Sequence, residues 1–262
     1  MEVHKFVDEH LKRGTIQESW SPYAANFFFV KKKDGKLRPV QDYRPLNKWT
    51  IKNRNVSPLI PATIDQLSGC TLFLKFDVRW GYNNIQIKPE DKWKAAFLTP
   101  EGQFEPRVMF FGLTNSPATF QMMMNTIFQK EVAEGWLSFY MDDIAIHLKK
   151  HPLETEEQHR QRHKLYVHHI LDKLEWHNLY LKPEKCAFKK DEIDYLGVII
   201  GNGTVKMDPS KLKGVADWPR LKTPTKIRQF LGFTGYYRYF IPKYSEIAWP
   251  LLDLTKKDVM WK

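Results

Sequence analysis

Three carboxylates stand where strands should end: Asp77 closes the run LFLKFD, and Asp142-Asp143 sit between two strand-like runs in FYMDDIAIH. Carboxylate oxygens are the preferred ligands of hard divalent cations. Two such ions about 3.5–4 Å apart can activate an attacking oxygen and stabilise a leaving one in phosphoryl transfer. Acids in that role are ligands rather than bases. Taken alone, an Asp-Asp pair at a hairpin tip is more often a solvated turn, so the reading depends on what surrounds it.

The surrounding elements are those of a mixed helix and hairpin protein. Val3, Phe6, Val7 and Leu11 recur at helical spacing over residues 3–13, and Gly14 ends that helix. Ala25–Lys31 and Leu37–Asp42 read as two strands joined through the basic turn KKDGK. Leu72–Val78 reads as a strand, Asn115–Phe128 as a helix opening on Ser-Pro, and 154–177 as a long charged helix. Trp136–Tyr140 and Ile144–Leu148 flank the paired acids. Tyr195–Ile200 is expected to be one strand, returning through Gly201-Asn202-Gly203 to Thr204–Met207. A helix capped by Thr225 is expected to run through Tyr239, with Ile227, Phe230, Leu231 and Thr234 on one face. Antiparallel hairpins interspersed with helices predict an α+β class rather than a βαβ series.

Composition narrows the partners. The 262 residues carry 41 Lys+Arg against 30 Asp+Glu, a net +11, and residues 203–262 alone hold 12 basic and 5 acidic side chains, a net +7. This favours a polyanion, contacted through a basic C-terminal part. Two cysteines without CxxC spacing give no disulfide framework or zinc knuckle and suit a reducing compartment. His159 and His163 have an HxxxH spacing, a weak zinc signal without such cysteines. There is no apolar leader and no run of 18 apolar residues, so a membrane partner is not expected.

Six ordered blocks complete the pattern: FVKKKDGKLRPVQDYRPLN (29–47), FDVRWGYNNIQI (76–87), FGLTNSPATFQ (111–121), YMDDIAIH (140–147), LYLKPEKCAF (179–188) and YLGVII (195–200). In this order they resemble reverse transcriptases, and among those the Gypsy-type long-terminal-repeat retrotransposons. RWGYNN, MFFGLTNSPATFQ and LGFTGYYRYFI look like the fungal branch. The resemblance implies a right-hand polymerase with fingers (1–56 and 85–115), palm (57–84 and 116–202) and thumb (203–252). Residues 253–262 would begin a connection toward a ribonuclease H domain missing from this chain. The implied activity is RNA- and DNA-templated addition of deoxynucleotides to a primer 3′-hydroxyl. Implied partners are an RNA template, a DNA primer, their RNA–DNA hybrid duplex and deoxynucleoside triphosphates. The implied cofactor is a pair of magnesium ions, with manganese as substitute. A cytoplasmic location, within virus-like particles formed from a polyprotein, goes with the same likeness.

The likeness also assigns residues. Asp77 and Asp142 match the metal-binding aspartates, with Asp143 as third acid. Lys32 and Arg38 match side chains that hold the incoming triphosphate. Tyr82, five residues after Asp77, matches an aromatic gate beneath the nucleotide sugar that excludes a 2′-hydroxyl. Phe111 stands at a nucleotide-contact position where some retroviral relatives carry glutamine, so a polar contact does not carry over. Gln121 matches the template-side palm helix. Tyr140 and Met141 match side chains near the primer terminus, and Leu196 and Gly197, with Tyr195, match the hairpin that grips the primer strand. Lys226 and Arg228 are placed on a thumb helix as phosphate contacts. The rival from another class is a catalytically silent, duplex-binding relative of the same fold. A nuclease using the same acids is a third reading, which Lys32, Arg38 and Tyr82 disfavour.

Overall fold

The computed structural model describes residues 2–31, 35, 37–55, 58–201 and 203–256. In chain order, α1 (Glu2–Lys12) leads into β1 (Ile16–Glu18), the hairpin β2 (Ala25–Lys31) and β3 (Leu37–Gln41), then α2 (Arg44–Trp49) and α3 (Ile60–Leu67). The central strand β4 (Leu72–Asp77) precedes two 3-10 turns, Gly81–Asn84 and Pro89–Ala95, and the short strands β5 (Phe97–Thr99) and β6 (Gly102–Pro106). Next come α4 (Ser116–Ile127), α5 (Gln129–Ala133), β7 (Leu137–Tyr140), β8 (Asp143–Leu148) and α6 (Glu156–Trp176). The chain continues through β9 (Ala187–Lys190), β10 (Glu192–Tyr195), β11 (Val198–Gly201) and β12 (Thr204–Met207) to α7 (Pro209–Ala216), α8 (Pro224–Tyr236) and α9 (Tyr244–Asp253).

Three sheets result, in the orders β1-β6-β5-β2-β3, β7-β8-β4-β9 and β10-β11-β12. All pairings are antiparallel except the short parallel contact of β2 with β5. Each sheet has its own apolar cluster. The first packs under α1 around Phe6, Ile16, Tyr43 and Phe97. The second joins β4, β7 and β8 to α4 and α6 through Phe76, Phe120, Phe139, Ile146 and Ile170. The third carries the small hairpin sheet against α3 and α8 through Leu67, Phe73, Tyr195, Ile200 and Tyr237. The middle sheet therefore has helices on one face and the hairpin sheet with α8 on the other, so β4 and β8 lie at the centre of the molecule.

Local chemistry explains the boundaries. Thr155 and Gln158 form a reciprocal capping box that starts α6. At α8 the cap is Thr223, whose hydroxyl accepts from the Lys226 N–H, and not Thr225. Pro224 then sits in the first turn, where its missing N–H costs nothing. The helix ends at Tyr236 and a 3-10 turn, Arg238–Phe240, follows, so the expected run through Tyr239 is too long. The expected face is present: Ile227 and Thr234 are buried and Phe230 and Leu231 half-buried.

The expected single strand Tyr195–Ile200 is two strands. Leu196 (φ +52°) and Gly197 (φ +74°) are both left-handed, which turns the chain back and pairs Tyr195 with Val198. Successive positive φ values suit a tight hairpin because their twist matches that of the flanking strands. A Cβ on Gly197 would lie 3.2 Å from the Tyr237 hydroxyl. Gly197→Ala is therefore expected to lower unfolding stability by about 1–2 kcal/mol, read as a lower urea midpoint at unchanged slope.

Candidate active site on the central sheet

Backbone pairing places the acids. Asp77, last residue of β4, lies directly opposite Asp143, first residue of β8, and the Val78 N–H donates to the Asp142 carbonyl at 2.9 Å. Asp143 pairs in turn with Tyr140, leaving Met141 and Asp142 as a two-residue turn. Met141 is left-handed (φ +55°), and its N–H is held at 3.0 Å by the side-chain oxygen of Gln121, which is fully buried on α4. Gln121 thus fixes the acidic turn from below, a positioning role. Gly81 packs against the same turn, since a Cβ there would come within 3.6 Å of the Asp142 Cβ.

Three lysines answer the three acids unequally. Asp77, only 7 % exposed, receives Lys182 Nζ at 2.5 Å on one oxygen and Lys185 Nζ at 3.2 Å on the other. Lys75 Nζ lies 3.1 Å from an Asp143 oxygen. No ion pair to Asp142 is found among the described residues. Burial raises the Asp142 pKa, and the Asp143 and Asp77 charges raise it further against a lowering by its own backbone hydrogen bond and by Lys182. The Lys185 ammonium is raised by its hydrogen bond to Asp77, with all three carboxylates adding to the effect. Crowded, partly buried negative charge of this kind fits divalent cations: the donors are all oxygens, and one carboxylate has no ion pair among the described residues.

A second group stands beside the acids. The Tyr82 ring packs on Phe111 at 4.8 Å and edge-on to Phe120 at 5.9 Å, and the Arg38 guanidinium sits 4.8 Å over Phe111. Burial raises the Tyr82 pKa; Asp142 and Tyr140 add to the rise and Arg38 opposes it. Arg38 on β3, Tyr82 in the 3-10 turn Gly81–Asn84 and Phe111 thereby form one stack beside the acidic turn. Lys32 lies outside the described residues.

The remaining expected contacts lie apart. The Leu196 carbonyl accepts from the Tyr236 hydroxyl, which fastens the Leu196–Gly197 turn to the end of α8. Tyr236 and Tyr140 line one cleft, so that turn lies toward the acidic hairpin. A cleft of about 350 Å³ separates Tyr140 and Tyr236 from Leu59 and Ile64. Lys226 and Arg228 are exposed on α8, and Arg228 donates to the Thr255 carbonyl at 2.9 Å, a contact that ties α8 to the end of α9. His159 Nε2 lies 3.0 Å from the Thr71 hydroxyl and Nδ1 3.2 Å from Glu154, so both nitrogens have structural partners.

Sequence reasoning gave no role to Lys182, Lys185 or Lys75. Lys75 had a signal, since residues two apart on a strand share a face and it precedes Asp77 by two. Lys182 and Lys185 reach Asp77 across more than 100 residues of chain, which no local pattern shows.

Mixed helices and antiparallel sheets around paired strand-end acids define the right-hand polymerase fold. Solved structures agree: a foamy viral protease-reverse transcriptase in complex with double-stranded DNA superposes at TM-score 0.85, with 23% identity over 96% of this chain and 42% of that one. A foamy viral protease-reverse transcriptase in complex with an RNA/DNA hybrid superposes at 0.81, with 21% identity over 100% of this chain and 34% of that one. The family described as reverse transcriptase (RNA-dependent DNA polymerase) matches residues 30–200, and the chain belongs to that family. It is also similar to the Tf2-3 and Tf2-4 transposon polyproteins of Schizosaccharomyces pombe, 38% identical over 98% of this chain, and spans 18% of their length.

Because the raised Asp142 pKa means that its charge opposes folding, the sign of a pH effect follows. The carboxyl costs nothing below the ordinary carboxylate range, and its cost grows as pH rises through the raised value. In chelator at pH 7, Asp142→Asn is therefore expected to melt above the wild type, with the difference closing by about pH 4. Thermal denaturation across pH checks it; a lower melting temperature at pH 7 contradicts it.

Proposed function

We propose that this chain is the polymerase part of a Gypsy-type retrotransposon polyprotein. It would extend a DNA primer on RNA or DNA by attack of the primer 3′-hydroxyl on the α-phosphate of a deoxynucleoside triphosphate. The observation that carries this reading is that Tyr82, packed on Phe111 with Arg38 over it, adjoins the turn that brings Asp142 beside Asp77 and Asp143. Acids without that neighbouring group would suit a nuclease equally well. The family match and the transposon relatives support it, and their polyprotein character suits a cytoplasmic, particle-enclosed setting.

Asp77 and Asp142 would hold two divalent ions, magnesium or manganese, with Asp143 beside them; when bound, the ions supply stabilisation of the charge that develops on the reacting oxygens. The chain's own residues do the positioning, on which phosphoryl transfer mainly depends. Arg38 offers a planar guanidinium to phosphate oxygens, with Lys32 assigned beside it. Tyr82, backed by Phe111 and Phe120, sets a rigid ring where the nucleotide sugar would rest. Gln121 keeps the Met141–Asp142 turn in register. The Leu196–Gly197 turn and Tyr140 hold the primer end. Lys226 would contact duplex phosphates, whereas the Arg228 contact with Thr255 gives that residue a second, structural role. The fingers, palm and thumb boundaries given above are proposed on the same basis; the first two sheets have separate apolar clusters, whereas the β10–β12 sheet runs across the boundary at 202/203 and packs on both sides of it.

Extension of a labelled DNA primer on RNA and DNA templates with magnesium or manganese tests the proposal. The wild type is expected to lengthen the primer, and Asp142→Asn to lose at least about 100-fold while duplex affinity, resting on phosphate contacts, changes little. A primer that shortens, or is unchanged with the wild type, contradicts it. Tyr82→Val is expected to raise ribonucleotide use relative to deoxynucleotide use by about 10-fold or more, since a clash is removed. Single-nucleotide incorporation with matched substrates measures that ratio.

A further inference from the structure

Trp80 stands out in two ways. Its backbone is left-handed (φ +53°, ψ +37°), a conformation that residues with a side chain avoid. Its ring, 39 % exposed, carries two guanidiniums, with Arg79 Cζ 3.9 Å and Arg13 Cζ 4.1 Å from the ring centre. Arg79 is the chain neighbour of Trp80, whereas Arg13 follows directly on α1. A strained backbone held by a stack from a distant element marks a residue whose position matters.

What Trp80 positions is the turn that follows it. The Trp80 carbonyl accepts from the Asn83 N–H at 2.7 Å and so opens the 3-10 turn Gly81–Asn84, which carries Tyr82. That turn has little slack elsewhere. A Cβ on the buried Gly81 would lie 3.5 Å from the Phe120 ring and 3.6 Å from the Asp142 Cβ, which closes the side toward the acids. The far end is tied down by the Asn83 side chain, which donates to the Met109 carbonyl at 2.9 Å. At the near end the hold is the stack of Arg13 and Arg79 on Trp80. Arg13 is itself well fixed: its N–H donates to the Glu9 carbonyl at 3.1 Å, its guanidinium pairs with the Glu9 carboxylate, and α1 is seated on the first apolar cluster through Phe6 and Val7. The flat guanidinium suits stacking on an indole, an attraction that strengthens as water is excluded. Arg13 thus links the body under α1 to the strand that ends in Asp77.

We propose that Arg13 and Trp80 are positioning residues for sugar selection: their stack fixes the Gly81–Asn84 turn, and through it the Tyr82 ring, against the nucleotide sugar. Discrimination by a clash needs the ring held to within about 0.5 Å, since a ring that yields admits the extra hydroxyl. The role in sugar selection rests on the proposed polymerase function; the mechanical link from Arg13 to the turn does not.

Two measurements test it. Hydrogen exchange read by mass spectrometry follows the link itself: Arg13→Ala is expected to speed exchange at the Asn83 and Ile85 amides by about threefold or more, with the amides of β4 unchanged. Single-nucleotide incorporation follows the consequence. Arg13→Ala and Trp80→Gly, the second of which keeps the left-handed backbone without strain, are each expected to raise ribonucleotide use relative to deoxynucleotide use by about threefold or more. Trp80→Phe keeps a ring for the guanidiniums and is expected to stay close to the wild-type ratio. In a Tyr82→Val background, Arg13→Ala is expected to change the ratio no further, because its effect passes through that ring. A lower melting temperature in Arg13→Ala with an unmoved ratio would make the stack merely stabilising and overturns the proposal. So does an additive effect with Tyr82→Val, or an equal loss with both sugars, the sign of an arginine that contacts phosphate instead. A wild type that incorporates neither nucleotide defeats the polymerase reading, and the role in sugar selection with it; exchange in Arg13→Ala still decides whether the link exists.

Discussion

Antiparallel register between β4 and β8 is the constraint on which the site depends. Putting Asp77 opposite Asp143 forces two carboxylates to the same sheet end, and the two-residue turn brings Asp142 beside them. A slip of one residue would send one of these side chains to the opposite face. The register is protected by what the strands bury: Phe76, Ile144 and Ile146 on the helix side, Phe73 and Ala145 on the hairpin side. Apolar packing on both faces thus holds together charges that repel one another. Lys182, Lys185 and Lys75 offset part of the repulsion, and Asp142, raised first by burial and then by its two acidic neighbours, is held at a cost.

The same economy of position appears around the pocket. Gln121 accepts from the Met141 N–H while its amide nitrogen donates to Asn125 Oδ1 at 3.1 Å, and the left-handed Met141 is fixed by the first of these bonds. Tyr82 is stiffened by its ring contacts with Phe111 and Phe120. A ring held by rings discriminates by shape, which suits a choice between sugars that differ by one hydroxyl. At the other border, Tyr236 and Tyr237 fasten the Leu196–Gly197 turn to α8, so movement of that helix would be felt at the turn facing Tyr140.

Much of this was legible in the chain. The β2–β3 pairing follows from an aromatic-rich apolar run and a second strand on either side of KKDGK, whose residues 32–34 and 36 lie outside the described residues, and the central strand from LFLKFD followed by a change of pattern. The strand-end acids follow from their flanks. What failed did so for identifiable reasons. Thr223 and Thr225 bracket Pro224, and the proline's preference for the first turn makes Thr223 the cap, a signal present but misjudged. Leu196 in a left-handed conformation is disfavoured locally, so the break in Tyr195–Ile200 is imposed by packing on Tyr236 and Tyr237. The lysine partners of Asp77 and the stacking of Arg13 on Trp80 are tertiary facts, invisible to any window of sequence.

The central proposal is that register-imposed carboxylates, with no ion pair to Asp142 among the described residues, form a divalent-cation site. Titrating manganese(II) into the protein and following the free ion by electron paramagnetic resonance measures this without any dependence on turnover. The account predicts saturable binding by the wild type that is lost or greatly weakened in both Asp77→Asn and Asp142→Asn. Binding of equal strength in Asp142→Asn and the wild type would contradict it.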